Sequence, residues 1–328
     1  MPLSAAPLRR RQLEPEPAVE QRRREGNRVL RSILELEREL SHQLARRVLP
    51  WVPGTHLPYD WQLRRRLTLS FASLAVPGLP NGWSGVRGLL ISDLHVGPFV
   101  GRRQLERSLR TLIEESAPEI ILLAGDLLSA HVRELRDLEP ALRTLEAPLG
   151  AWAVLGNHDH YTLQPETVAA RVGDCGVQVL NNVHRRLTRK NDELVLAGID
   201  DLDMGQPDLE AALRGVSERD TVLLMSHNPD TFFEAARRGV ALQLSGHTHG
   251  GQIRRRGRQP PMMASRFPLV HGHYTLDTGD RGPAQLLLSE GLGVVGLPLR
   301  ITCAPEAIAF ELRQVAAAES VPVKTVDA

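Results

Sequence analysis

The sequence contains little cysteine, few aromatic residues and no long apolar run. Only two of its 328 residues are cysteine, Cys175 and Cys303, which excludes a disulfide framework and a cysteine-rich zinc site. Aromatic residues make up 4% of the chain, which argues against a nucleic-acid surface built on base stacking. No stretch of 18 apolar residues is present, as a transmembrane helix would require. Any metal site must therefore use carboxylates and the 12 histidines.

The even charge balance conceals two regions of opposite sign. The chain has 40 Lys and Arg against 39 Asp and Glu, and 38 of the bases are arginine. Residues 1–66 hold 14 arginines and 8 acidic residues, a net charge of +6, which leaves 26 bases and 31 acids, net −5, for the remainder. The sequence thus has a basic arm and a mildly acidic body. An acidic body argues against nucleic acid as a partner, because duplex binding needs an extended basic surface.

The basic region divides into two predicted segments. Residues 1–26 are rich in Arg, Glu and Pro and are predicted to be a disordered arm. Residues 27–62 are predicted to form an amphipathic helix, from Asn27 to about Val48, and a linker. The helix could pack on the body or on a partner, or lie on an anionic membrane surface. We expect a cytoplasmic protein, with peripheral contact to the inner face of the cell membrane through this helix as an alternative.

Strands alternate with helices in the body and give way to strands alone near its end. This order predicts an α/β domain over residues 63–312, with two sheets and outer helices, and a flexible tail over 313–328. The apolar strand segments are 67–76, 88–92, 119–125, 151–156, 193–199, 221–226, 241–245, 273–276, 284–289 and 307–312, and the helical ones are 102–113, 133–145, 166–172 and 232–238.

Five of these strands are each followed by side chains that can bind metal. The groups are Asp93 with His95, Asp126, Asn157 with His158 and Asp159, His227, and His247 with His249. Ligand sites in α/β sheets form beyond the carboxyl ends of strands, so the five loops can meet in one crevice. The two pairs have i, i+2 spacing, which in an extended segment directs both side chains to one side.

These side chains form a mixed set of oxygen and nitrogen donors. Such a set suits Zn²⁺, Mn²⁺ or Fe. A single histidine such as His227 is usually structural, but five clusters in this order predict a shared metal site. Seven ligands are too many for one ion, and they divide into two sets of four if Asp126 is shared. Two adjacent ions can stabilise the attacking and leaving oxygens of a displacement at phosphorus.

The motifs DxH (93–95), GD (125–126), GNHD (156–159), H (227) and GHTH (246–249) resemble those of the calcineurin-like metallophosphoesterase family, over about residues 86–312. The resemblance implies a four-layer α/β/β/α sandwich that binds two divalent ions and hydrolyses phosphoesters. It assigns Asp93, His95, Asp126 and His249 to the first ion, and Asp126, Asn157, His227 and His247 to the second. His158, oriented by Asp159, would stabilise the transition state or protonate the leaving oxygen. Leu127-Leu128-Ser129 stands where many members have a further Asp or Arg.

Finer motifs, including SDLHVGPFVG (92–101) and GHTHGGQ (246–252), resemble a bacterial branch. It contains cell-envelope phosphodiesterases and the UDP-2,3-diacylglucosamine pyrophosphatases of lipid A synthesis. This resemblance implies hydrolysis of a phosphodiester or pyrophosphate, with a nucleotide-linked lipid favoured over a general phosphodiester. Apolar residues at 260–264 and 267–270 would suit an acyl chain, and ordinary loop packing is the alternative. Arg254 and Arg300 are candidates for binding a diphosphate or an anionic head group.

Other functions of the same fold remain open. A nuclease is disfavoured by the acidic body, and a protein serine/threonine phosphatase is compatible with the GNHD motif. A non-catalytic scaffold usually lacks a ligand or the catalytic histidine, whereas this chain retains all seven ligands and His158.

Overall fold

The computed structural model describes residues 57–254, 264–279 and 282–315. The predicted arm at 1–26, the helix at 27–48 and the residues beyond 315 lie outside these ranges, as do the apolar residues at 260–263. Within the described residues no helix is long and apolar enough to cross a membrane.

The first sheet has six strands in the order β1-β12-β2-β3-β4-β5. Strands β2 to β5 run parallel, β12 is antiparallel to β2, and β1 is parallel to β12. In the register of this sheet, Leu90 lies opposite Leu122. The bounds are β1 Thr68–Val76, β2 Arg87–Ile91, β3 Ile120–Ala124, β4 Ala151–Val154, β5 Val177–Val179 and β12 Glu306–Gln314.

The second sheet also has six strands, in the order β10-β11-β9-β8-β7-β6. Its four inner strands are parallel, and the two edge strands β6 and β10 are antiparallel to their neighbours. The bounds are β6 Val183–Arg189, β7 Asp192–Gly198, β8 Val222–Met225, β9 Leu242–Ser245, β10 Gly272–Leu276 and β11 Ala284–Leu288.

The helices lie on the outer faces of the two sheets. One buried cluster joins the first sheet to helices on its outer face, and two smaller clusters do the same for the second sheet. A further cluster lies between the sheets, where Leu90 and Leu122 meet Leu223 and Leu244. The result is the predicted four-layer α/β/β/α arrangement. The helix bounds are α1 Leu57–Arg66, α2 Arg102–Ser116, α3 Leu135–Leu142, α4 Asn157–His160, α5 Pro165–Gly173, α6 Leu209–Ala212 and α7 Phe232–Arg237.

The residues before β1 differ from the sequence-based expectation. A linker was expected up to residue 62, but helix α1 begins at Leu57 and packs on the body. Tyr59 and Leu63 belong to the buried cluster of the first sheet, and the Tyr59 hydroxyl donates to the carbonyl of Leu292. The short helix is hard to recognise in the sequence because its buried residues occupy only two turns.

Candidate metal centre

Five loops at the carboxyl ends of strands carry the candidate ligands. Strands β2, β3 and β4 are parallel neighbours in the first sheet, and β8 and β9 are parallel neighbours in the second. Each ends directly before one of the motif loops, so the loops converge as expected. All seven predicted ligands are buried, with at most 8% exposure: Asp93, His95, Asp126, Asn157, His227, His247 and His249.

Four of these residues form a compact cluster. Asp93, His95, Asp126 and His249 each offer one ligand atom, and these atoms lie within 4.8 Å of one another. The Nε2 atoms of His95 and His249 are 3.0 Å apart. His95 Nε2 is 3.4 Å from Asp126 Oδ2, and His249 Nε2 is 3.4 Å from Asp93 Oδ1. Two carboxylates and two imidazoles that converge in this way fit a divalent cation with borderline or hard character.

The remaining three candidates lie beside Asp126 and one another. His227 Nε2 is 3.3 Å from Asp126 Oδ2, and His247 Nδ1 is 3.2 Å from His227 Nε2. The Oδ1 atom of Asn157 is 3.1 Å from His247 Nδ1. Asp126 Oδ2 therefore faces imidazole nitrogens of both predicted sets.

Contacts outside the cluster fix the orientation of the imidazoles. His227 Nδ1 lies 2.7 Å from the carbonyl oxygen of Ala124, which leaves Nε2 directed at Asp126. His247 Nε2 lies 3.3 Å from Asp203 Oδ2, which leaves Nδ1 directed at Asn157 and His227. Such outer contacts set the tautomer and the angle of a ligating histidine.

Asp203 was not predicted from the sequence. It lies in the loop after β7, and β7 is the neighbour of β8 in the second sheet. A signal was available, because Asp200, Asp201 and Asp203 follow an apolar strand just as the motif residues do. No motif singled out this acidic run, and spacing alone does not reveal that it meets His247.

The structure corrects the predicted relation between His158 and Asp159. The ring of His158 is positioned by a backbone carbonyl, since its Nδ1 lies 2.7 Å from the oxygen of Ser129. The carboxylate of Asp159 instead accepts hydrogen bonds from the backbone N–H groups of Gly156, Leu127 and Leu128. Asp159 therefore holds the GNHD loop against the loop of Asp126. Residues 127 and 128 contribute these backbone donors, and their side chains are buried.

The electrostatics of the cluster favour an ionised Asp126 and a neutral His249. Burial alone would raise the pKa of Asp126, but the imidazoles of His227, His158 and His95 outweigh it and hold the pKa well below its usual range. Burial, His95 and Arg300 hold the pKa of His249 well below its usual range. A neutral imidazole is the form that binds metal. Burial raises the pKa of Asp93, so its charge is costly without a cation.

The backbone at the ligands is not extended, which corrects the expectation drawn from the i, i+2 spacing. The φ angles are +52° at Asp93, +45° at His95, +53° at Asp126, +77° at His247 and +53° at His249. Each lies in the left-handed region, which residues other than glycine adopt infrequently. The paired side chains reach the same site because the chain turns sharply at each of them.

The two predicted substrate-binding arginines occupy different surroundings. Arg300 is 1% exposed, and its guanidinium donates to the carbonyl oxygens of His249, Glu290 and Gly293. This placement favours a structural role beneath the ligand loop over contact with substrate. Arg254 is partly exposed and donates to Glu290 Oε1 at 2.7 Å.

The predicted acyl-binding segment at 267–270 contributes to ordinary packing. Leu269 is buried in an apolar cluster with Phe232 on the outer face of the second sheet. The Phe267 ring lies 4.3 Å from that of Phe233, between centroids. Of the two alternatives, loop packing therefore applies to these residues.

Comparison with known proteins identifies the family. The family model described as calcineurin-like phosphoesterase matches residues 86–251, half of the chain. The transmembrane protein with metallophosphoesterase domain of Danio rerio is 32% identical, over 74% of this chain and 56% of that protein. The uncharacterized metallophosphoesterase YkuE of Bacillus subtilis (strain 168) is also 32% identical, over 72% of this chain and 82% of that protein. Phosphodiesterase YaeI of Escherichia coli (strain K12) is 29% identical, over 68% of this chain and 81% of that protein.

These relatives differ in length from the chain. It spans little more than half of the Danio rerio protein and about four fifths of the two bacterial proteins. The matched region contains all five motif loops and the four-residue cluster. The chain belongs to the calcineurin-like phosphoesterase family, and residues 86–251 form its metal-dependent phosphoesterase domain.

Proposed function

We propose that the protein hydrolyses a phosphodiester or pyrophosphate bond at a dinuclear centre. The observation that carries the proposal is the position of Asp126 Oδ2, 3.4 Å from His95 Nε2 and 3.3 Å from His227 Nε2. In this proposal Asp126 completes both sets of four ligands: Asp93, His95 and His249 on one side, and Asn157, His227 and His247 on the other. Two bound divalent ions would polarise the phosphoryl oxygens and activate the attacking water.

His158 is the proposed proton donor to the leaving oxygen. Its Nδ1 lies 2.7 Å from the Ser129 carbonyl oxygen, which fixes the ring, and in this proposal Nε2 carries the transferred proton. The ring lies against the metal cluster, with its centroid 4.5 Å from that of His95. A general acid must reach the atom it protonates, and a ring held beside the cluster meets that condition. Asp159 supports it indirectly by holding the loop.

A nucleotide-linked lipid such as UDP-2,3-diacylglucosamine is the proposed substrate class. Two exposed apolar side chains support an apolar portion of the substrate. Leu163 is 87% exposed and follows helix α4, which carries Asn157, and Met204 is 48% exposed and adjoins Asp203. The alternative is a general phosphodiesterase. It is supported by the 29% identity to a relative named phosphodiesterase YaeI.

Paired substrates test the proposal. Hydrolysis of UDP-2,3-diacylglucosamine is measured beside bis-p-nitrophenyl phosphate, with Mn²⁺, Mg²⁺ and Zn²⁺ compared at equal concentrations. A higher kcat/KM for the lipid supports the proposed substrate, and activity on the chromogenic diester alone supports the alternative.

An Asp126→Asn variant tests the shared ligand in the same assay. It should lose more than about 100-fold in rate, more than the loss of an outer contact produces, and it should bind both ions more weakly. Unchanged turnover, or weaker binding of one ion only, would refute the shared ligand. The matched control is Asp137→Asn, a carboxylate on α3 whose side chain is 39% exposed.

A further inference from the structure

Helix α1 has a buried face and an exposed face. Tyr59, Gln62 and Leu63 are buried against the body. Trp61 is 60% exposed, the Arg64 side chain is 55% exposed and Arg65 is exposed. Residues three and four apart share one side of a helix, so Trp61, Arg64 and Arg65 form one outward surface.

The segment at 297–301 presents a second apolar surface. Leu297 is 58% exposed, Leu299 is 39% exposed and Ile301 is 42% exposed. Arg300 between them is buried, so alternate residues point outward. Single exposed apolar side chains are common on protein surfaces, but a group of three within five residues is typical of an interaction site.

Hydrogen bonds join the two surfaces. Gln62 Oε1 accepts from the backbone N–H of Arg300 at 2.9 Å, and Gln62 Nε2 donates to the Arg300 carbonyl at 3.3 Å. The Arg66 guanidinium reaches the same carbonyl at 3.5 Å. Helix α1 therefore lies directly against the segment at 297–301. We call the outward residues of both the docking face: Trp61, Arg64, Arg65, Leu297, Leu299 and Ile301.

We propose that the docking face binds an anionic lipid bilayer. Tryptophan favours the boundary between head groups and acyl chains, and exposed aliphatic side chains gain free energy by entering it. Arginines beside them attract the negative surface of anionic lipids. Helix α1 carries three arginines and one acidic residue, Asp60, which pairs with Arg64 at 2.7 Å and with Arg107 at 3.0 Å.

The docking face is linked to the metal cluster through one side chain. Arg300 separates Leu299 from Ile301, and its guanidinium contacts the carbonyl oxygen and Nδ1 of His249. Docking would hold the cluster close to the bilayer surface. Binding to lipid vesicles does not depend on the reaction, so it can be measured whether or not the proposed substrate is correct.

Vesicle sedimentation with the full chain tests the proposal. The partition coefficient is measured on vesicles of phosphatidylcholine and on an equal mixture of phosphatidylcholine and phosphatidylglycerol. The double variant Leu297→Ser/Leu299→Ser should bind the mixed vesicles at least about tenfold more weakly, because two aliphatic side chains are lost. Arg65→Gln should weaken binding to the mixed vesicles by about fivefold, and added salt should reduce that difference.

Matched controls lie on β6, at an edge of the second sheet. The exposed fraction of Val183 is 37%, similar to the 39% of Leu299, and Arg185 is exposed, as Arg65 is. Val183→Ser and Arg185→Gln should bind as the wild type does. Near-ultraviolet circular dichroism and turnover of bis-p-nitrophenyl phosphate show whether each variant is folded.

Three outcomes would overturn the proposal. The first is a wild-type chain that does not sediment with the mixed vesicles. The second is equal binding by wild type and the docking-face variants, which would assign binding to residues elsewhere, including those before Leu57. The third is a concentration-dependent dimer that Leu297→Ser/Leu299→Ser disperses while vesicle binding is unchanged, which would assign the face to a second copy of the chain.

Discussion

Asp203 provides a direct test of how the proposed second set of ligands is held. Its Oδ2 atom lies 3.3 Å from His247 Nε2 and 3.2 Å from the Asn228 side-chain nitrogen. Replacement by alanine removes the acceptor for His247 Nε2, so the ring can rotate and can take the tautomer in which Nδ1 carries the proton. A protonated Nδ1 cannot bind a cation.

The expected loss follows from this contact. Removing an outer partner of a ligating histidine lowers metal affinity or activity by about 10- to 100-fold, equivalent to about 1.4–2.7 kcal/mol. The Asp203 side chain is 39% exposed, so the fold should tolerate the change. Because a surface substitution usually alters stability by about 0.5 kcal/mol or less, and one hydrogen bond from Asn228 is also lost, the Tm should fall by no more than a few degrees.

Metal titration separates a positioning role from a general structural one. For Asp203→Ala, the metal concentration that gives half-maximal activity should rise 10- to 100-fold, and excess metal should restore most of kcat. Asp203→Asn retains an acceptor oxygen and should recover part of the affinity. Asp137→Ala is the control, because its side chain is also 39% exposed and it lies on α3. An unchanged titration midpoint, or a loss of kcat that excess metal does not restore, would refute this role for Asp203.

Three further substitutions test separate parts of the site. His158→Ala should lower kcat by about 10²–10⁴-fold through loss of the proton donor, with metal content per chain near normal by elemental analysis. Arg300→Met should lower the free energy of unfolding by about 3 kcal/mol or more in urea denaturation, because three buried carbonyl oxygens each lose one charged donor. In the presence of a chelator, the Asp93→Asn variant should have a higher Tm than the wild type. In the presence of metal, its Tm should be lower than that of the wild type. Its raised carboxyl pKa means that the folded protein holds this proton more tightly than the unfolded chain, so ionisation at neutral pH lowers stability when no cation is bound.

Different results would contradict each of these expectations. Loss of metal in His158→Ala would make His158 a ligand. A raised KM in Arg300→Met with unchanged unfolding would restore Arg300 as a substrate contact. A lower Tm for Asp93→Asn in chelator would mean that its carboxylate stabilises the metal-free fold, as the hydrogen bond from the His247 backbone N–H could allow.

The apolar runs predicted most of the fold because each central strand is buried on both faces. Strands such as β3, over Ile120–Ala124, are entirely buried and stand out as continuous apolar segments. The strands that were missed, β5 and β6, are different. Strand β5 has three residues, and β6 is an edge strand in which charged residues such as Arg185 and Arg186 face solvent. The charged residues of β6 interrupt its apolar pattern, so its sequence resembles a loop.

The motifs predicted the four residues of the compact cluster, while the residues that support them could not be predicted. A ligand must be a particular residue type at a particular strand end, and that requirement is visible in the sequence. Supporting contacts often use the backbone, as with Ser129 and His158, and a carbonyl group is present at every residue. The contacts of Asp203 with His247 and of Arg300 with His249 depend on which loops meet in space. Pairings of this kind are set by the tertiary fold.

The left-handed backbone at the candidate ligands opposes folding. Five of the seven candidate ligands have φ between +45° and +77°. Each such residue costs about 1–2 kcal/mol, so together they oppose folding by roughly 5–10 kcal/mol, comparable with the total stability of a domain. Glycine would remove the strain but has no donor atom, whereas aspartate and histidine supply the donor and tolerate this conformation better than most residues. The residue types at these positions therefore suit metal binding, although the backbone conformation that they adopt is unfavourable. The apolar strands on either side, β2, β3 and β9, must supply the compensating stability.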